Sequence, residues 1–308
     1  MLYAHTRALL RTLGLPEGDL SALPDSPLRF PDGAHFRVEV PTMNSVVAAQ
    51  ALLDRSRELG VFINRVIETA GLFRHTEGEI KEYVALCRER GVDLLMSVGP
   101  RAPYDLAASV ASPHGAFVGY RLRGGEQLVR AVEDVERGLE LGVRGFVIYD
   151  EGLLWVLAEL RRSGEIPAEV TLKVSAHCGH GNPASVKLLE HLGADSINPV
   201  RDLPLPALAT LRATVAVPLD CHTDNPPSSG GFIRFYEAPE FVRVLAPVSL
   251  KVGNSVLGAH GERPGAPEAA RMAEQVAIVL ELLERHYPAA VQSAAAPAVV
   301  PLRRVEHV

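Results

Sequence analysis

The chain has 308 residues, 47% of them hydrophobic and 22% charged, with a net charge of −6 at pH 7. That apolar content excludes a disordered chain, and the length admits one large α/β domain or two smaller ones. With no Lys/Arg run interleaved with aromatics, nucleic acid is excluded as a partner.

Residues 1–35 read as a helix followed by a Pro/Gly-rich lead-in. Met1 to Leu15 carries arginines and lacks the apolar core of a signal peptide, and no stretch approaches the ~20 apolar residues of a membrane span. Three scattered cysteines, Cys87, Cys178 and Cys221, fit reduced thiols. Together these features predict a cytoplasmic protein with no membrane partner. From residue 36 one pattern recurs: an amphipathic helix, a glycine, then a β-branched run. It appears around Gly60, Gly91, Gly142 and Gly193. Glycine just past a helix end closes the helix in the left-handed conformation, so these are αβ turns. The intervening runs predict strands near 36–42, 61–67, 92–98, 116–122, 143–149, 170–176, 195–199, 214–220 and 247–252. Helices are predicted near 44–59, 77–90, 126–141, 153–163, 183–192, 204–212, 236–245 and 267–286.

Alternating strands and helices imply a parallel sheet. Polar residues stand at the ends of nearly every strand and not at one switch point. That favours an α/β fold of the (β/α)8 TIM-like barrel type, in one domain over 36–288, against a doubly wound open sheet. Nine candidate strands exceed the eight of a closed barrel, with 116–122 or 61–67 the candidates for the extra one. The Ala/Pro/Val-rich stretch 289–308 reads as a flexible C-terminal tail.

Strand side chains alternate between barrel interior and helix layer. This count points Arg37 and Glu39, Ser97 and Arg101, Lys173, Ser175 and His177, Asp220 and His222, and Ser249 and Lys251 inward. So many ionisable groups inside a barrel either pair with one another or hold a ligand. In Asp220-Cys221-His222-Thr223-Asp224 the alternate residues share one face, a spacing that suits a divalent metal, with His177 and His180 able to complete the shell. A metal-free acid/base histidine is the equal alternative. Lys173 sits where a Schiff-base lysine would, and Lys251 beside it would lower its pKa. The plainer role for either lysine is to pair a substrate anion. Gly179 to Ala184 suits a capped helix start with free amides for an anion. The Pro/Gly/Ser-rich run 225–232 suits a lid. Asp150 is placed to act as a base or a helix cap, and Asn198 and Asn254 stand at strand tips.

The stretches Val132 to Val135 and Gly145 to Trp155 are similar to barrels of the collagenase-like peptidase family, peptidase family U32. So are Leu172 to Ser175, Gly179 to Ala184 and Leu192 to Asn198, and the likeness runs over about residues 36–260. The resemblance implies a TIM barrel and, nominally, a peptidase. Several members of that superfamily use cysteine-ligated iron–sulfur clusters. Here Cys178 and Cys221 lack partner cysteines at matching spacing, so no iron–sulfur cluster is expected.

The sequence therefore predicts a barrel hydrolase or lyase acting on a small polar or anionic molecule. His222, His177, Lys173 and Asp220 are the catalytic candidates. Lys251, Arg101, Glu39, Asp150, Asn198 and Asn254 are the substrate-binding ones, and Asp220, His222 and His177 the ligands of a divalent metal if one is used. A class I aldolase-type lyase on Lys173 and a non-catalytic small-molecule-binding barrel are the alternatives. A homo-oligomer is left open.

Overall fold

A computed structural model describes residues 2–101, 115, 119–259 and 261–294. Eight strands close into one parallel barrel in sequential order. They are β1 (Phe36–Val40), β2 (Arg65–Glu68), β3 (Asp93–Ser97), β4 (Gly145–Ile148), β5 (Thr171–Val174), β6 (Ser196–Ile197), β7 (Leu219–His222) and β8 (Val248–Lys251). The N-terminal helix α1 (Ala4–Thr12) precedes them. Each strand then leads into a helix of the outer ring: α2 (Val46–Glu58), α3 (Glu77–Arg90), α4 (Gly124–Glu140), α5 (Glu151–Ser163), α6 (Pro183–His191), α7 (Leu205–Arg212), α8 (Ala238–Leu245) and α9 (Ala266–His286). Gly91 and Gly193 close their helices at φ 66° and 100°, a region closed to most side chains. Among the described residues no helix is long and apolar enough to cross a membrane.

The barrel needs no ninth strand. Of the 116–122 stretch, residues 116–118 lie outside the described residues, and 119–122 form no strand. The 61–67 run does enter the barrel, but its ladder begins only at Arg65. A similar slip shifts the 214–220 strand to Leu219–His222. The amides of Ala216 and Val217 are taken by the Glu190 carboxylate, 2.6 and 3.0 Å away, so they never join the ladder. As a result Asp220 and His222 lie within β7, inside the barrel.

Alternation sorts the strand residues as the sequence indicates. Val38, Val40, Leu172, Val174, Leu219, Cys221, Leu250 and Val252 belong to the main core with the helices. A second, small cluster of Ile67, Leu95, Val147 and Tyr149 fills the interior on the β2–β4 side. The opposite half of the interior is ionic.

The start of the region expected to be a flexible tail is firmly held. The Val291 carbonyl accepts from the His35 and Phe36 amides, and the Ser293 amide donates to the Phe36 carbonyl. Asn64 ties this segment to the barrel. Its Oδ1 accepts from the Val38 amide and from Gln292, and its Nδ2 donates to the Ser293 carbonyl, all within 2.9 Å. The backbone groups at the start of β1 have no neighbouring strand to take them all, and this segment supplies the missing partners. Residues 295–308 lie outside the described residues.

Replacing Asn64 by Ala leaves a buried amide and a buried carbonyl unpaired, so Asn64→Ala should cost about 2–4 kcal/mol in urea unfolding. Removing residues 289–308 should also lower the midpoint. A truncated chain with an unchanged midpoint would show that the segment adds nothing.

Candidate active site

The ionic half of the interior is organised around one carboxylate. Glu39 on β1 is fully buried. Its oxygens accept from Lys173 Nζ of β5 at 2.7 and 2.5 Å and from Lys251 Nζ of β8 at 2.5 Å. Arg65 Nη1 of β2 stands 3.4 Å away. Burial alone would raise the Glu39 pKa; the three cations outweigh it and hold the carboxyl well below its usual range. Lys173 also contacts Asp220 Oδ2 at 2.9 Å. The chain continues outward through Arg65 and Arg37 to Asp93, 3.6 and 3.9 Å away. Four cations thus face three carboxylates, and the excess charge is positive.

Above this network the barrel opens into a cavity at the carboxyl ends of the strands. Lys173, Lys251, His177, His222, Asn198 and Asn254 line it together with Tyr149 and Arg201. Six of the ten residues singled out from sequence therefore meet in one place. Glu39 and Asp220 do not line it. They lie beneath the lysines, and Glu39 is the hub of the ion-pair network. Asp150 also falls outside. It caps α5 by accepting from the Leu153 amide at 3.1 Å, and its other oxygen takes the Leu122 amide at 3.2 Å.

His222 is paired across the sheet with Lys251. Burial, reinforced by Lys251, Arg201 and Lys173, drives its pKa well below 6.5, so the ring is neutral at physiological pH. Its Nδ1 has no hydrogen-bond partner among the described residues. His177 stands not on a strand but on a 3-10 turn at Ala176–Cys178 that ends β5 early. Its Nε2 meets Arg201 Nη2 at 2.9 Å, and its ring stacks on Tyr120 with centroids 4.2 Å apart. An arginine can only donate, so His177 Nε2 is the acceptor and the imidazole is neutral.

These engagements turn the sequence-derived ligand candidates toward other partners. Among the described residues no group of three or more His, Cys, Asp or Glu side chains is placed to hold a metal ion. Asp220 is turned to Lys173 and His177 to Arg201. His180 binds Glu151 at the start of α5. Asp224 is buried, accepting from the Gly253 amide at 2.9 Å and the Ser255 amide at 2.5 Å. Lys173 Nζ is likewise engaged, donating to both Glu39 oxygens with Asp220 Oδ2 2.9 Å away.

Arg201, absent from the sequence-derived site, is its main addition. It follows β6 in the loop after Asn198, whose Nδ2 donates to the Asp220 carbonyl at 2.6 Å. Among the described residues no carboxylate pairs with Arg201, and its buried Nε has no partner. Burial lowers its pKa. The signal in the sequence is an arginine three residues past a strand tip with no acid facing it. Arg101 lies nearby: Nη1 donates to the Thr69 carbonyl at 2.6 Å, and the guanidinium packs 4.5 Å over Tyr149. Its Nε and Nη2 are buried without hydrogen-bond partners among the described residues. The 225–232 run proposed as a lid is a hairpin, with the Asn225 amide bound to the Phe232 carbonyl.

No protein-family model matches the chain, and no curated protein does. In shape it is similar to the U32 peptidase Mk0906, at 19% identity over 65% of this chain and 73% of that one, with a TM-score of 0.39. It is similar to the YdjI aldolase of Escherichia coli K12 at 11% identity, covering 82% and 90% of the two chains, with a TM-score of 0.47. Likeness to a structure described as native KDPGal reaches a TM-score of 0.50 at 9% identity over 84% of this chain and 98% of that one. What is shared is the fold, a (β/α)8 barrel.

The network makes an asymmetric stability prediction. Glu39→Gln leaves two buried lysines and Arg65 short of a counter-charge and should cost about 3–5 kcal/mol in urea unfolding. Lys251→Met leaves Glu39 with Lys173 and Arg65 and should cost clearly less. Equal losses would mean that Glu39 is not the hub.

Proposed function

We propose that the chain is a barrel enzyme acting on a small carbonyl compound that carries a carboxylate or phosphate. In this reading it moves a proton next to the carbonyl, as a lyase or isomerase does. One observation carries the reading: Arg201, a partly buried guanidinium without a carboxylate partner among the described residues, borders the same cavity as the neutral imidazole of His222. A buried cation with no counter-ion is costly unless a ligand supplies one. Arg201 binds the substrate anion, and His177 orients the guanidinium through its Nε2. The ammonium groups of Lys173 and Lys251 at the floor of the cavity stabilise the enolate formed when a proton leaves the carbon next to the carbonyl. His222 accepts that proton. Its depressed pKa keeps it in the accepting form, and the surrounding cations acidify the substrate to match.

Membership of the U32 family is supported by the sequence stretches that resemble it, but hydrolysis of peptides is the less favoured chemistry. Burial pushes the thiols of Cys178 and Cys221 up to about 12, and both belong to the helix-side core. Neither is a nucleophile for the cavity.

Deuterium exchange into a panel of 2-oxo acids, followed by proton NMR, tests the proposal. Exchange should fall about 10²–10⁴-fold in His222→Asn, the range of general-base contributions. Arg201→Ala should mainly weaken binding. Because the imidazole stays neutral, no step from His222 ionisation should appear in the rate as pH falls through 6.5. A panel with no exchanging member, or exchange indifferent to both substitutions, would contradict the proposal.

A further inference from the structure

The two lysines of the site are chemically unequal. Lys173 Nζ donates to both oxygens of Glu39 and stands 2.9 Å from Asp220 Oδ2, so two carboxylates face its ammonium. Among the described residues Lys251 Nζ meets only Glu39 Oε1, at 2.5 Å. Both border the cavity, and Lys251 stands across the sheet from the neutral His222. A lysine is a nucleophile only when its nitrogen is free to approach the carbonyl, and contacts with two carboxylates tie the Lys173 nitrogen down. Lys173 is therefore spent as a counter-charge. Lys251 has one charged partner, and that partner is shared with Lys173 and Arg65.

We propose that Lys251, and not Lys173, is the reactive amine of this site, and that it condenses with the carbonyl carbon of an anionic aldehyde or oxo acid to form an imine. The Lys251 lone pair adds to the carbonyl carbon as the C=O π pair moves to oxygen. One proton passes from nitrogen to that oxygen, giving a carbinolamine, with the neutral His222 placed to relay it. A second proton, from solvent, lets the oxygen leave as water while the nitrogen lone pair closes the C=N bond. Amine, carbonyl and one proton thus give a protonated imine and water. Burial and the neighbouring Lys173 lower the Lys251 pKa to about 8 against the pull of Glu39 and Asp220, so the free amine is available near neutrality. The proposal rests on the anionic-carbonyl reading above and sharpens it, because an imine is the stronger electron sink for the same proton removal.

The chain has four lysines, Lys81, Lys173, Lys187 and Lys251, so modification maps unambiguously. The folded protein is treated at pH 7 with cyanoborohydride and either glyoxylate or formaldehyde, and the alkylated lysines are identified by peptide mass spectrometry. Lys251 should be modified at least about tenfold faster than exposed Lys81 or Lys187, because more of it is free amine. Lys173 should stay unmodified, also in Lys251→Met. Reaction at Lys173, or Lys251 reacting no faster than the surface lysines with both aldehydes, overturns the proposal. The neutral aldehyde separates the two readings. Selective labelling of Lys251 by formaldehyde but not by glyoxylate keeps the amine and removes the anionic substrate. Sulfate binding that depends on Arg201, with Lys251 inert to both aldehydes, keeps the anion site and removes the imine.

Discussion

The structure depends on a single buried carboxylate. Glu39 joins β1, β2, β5 and β8 by accepting from Lys173 and Lys251 and facing Arg65. Four strands separated in sequence are thereby referred to one point on the barrel axis. Charges in such a place are stable only when they are paired on every side. Asp220 extends the pairing to β7 through Lys173. Removing Glu39 would strand several cations at once, whereas an outer member of the network can be lost with less harm.

The division of the interior gives this arrangement its chemical sense. On the β2–β4 side Ile67, Leu95, Val147 and Tyr149 form a dry wall. On the other side the ionic layer forms the floor of the cavity, with Lys173 and Lys251 lining it. Low dielectric on one side and fixed cations on the other strengthen any interaction with a bound anion. The Arg101, Tyr149, Tyr120 and His177 side chains continue as a stack around the rim, with Arg101 4.5 Å over Tyr149 and Tyr149 and Tyr120 5.0 Å apart. Arg201 is bound to the end of that stack through His177.

Much of the architecture was legible in the sequence because it follows from period and punctuation. Glycines past helix ends marked the αβ turns, and two-residue alternation correctly put Glu39, Lys173, Asp220, His222 and Lys251 inside. Alternation gives the side of the sheet but not the depth along the axis. It therefore could not separate the hub residues Glu39 and Asp220 from the cavity residues His222 and Lys251. The same limit made Asp220, His222 and His177 look like a ligand set. His177 leaves the strand at a 3-10 turn, and only the fold shows that its partner is Arg201. Arg201 itself belongs to a loop, where no periodicity speaks for it. Asp150 carried a cap signal and a base signal equally, and the α5 amide decided between them.

One carboxylate serves two lysines and leaves them unequal. Selective carbon-13 labelling of lysine gives four Cε signals, assignable by single Lys→Arg substitutions, and their pH titration reads the claim directly. The Lys251 signal should move with a midpoint near 8. A Lys251 midpoint above about 10, the ordinary value for a solvated lysine, would contradict it.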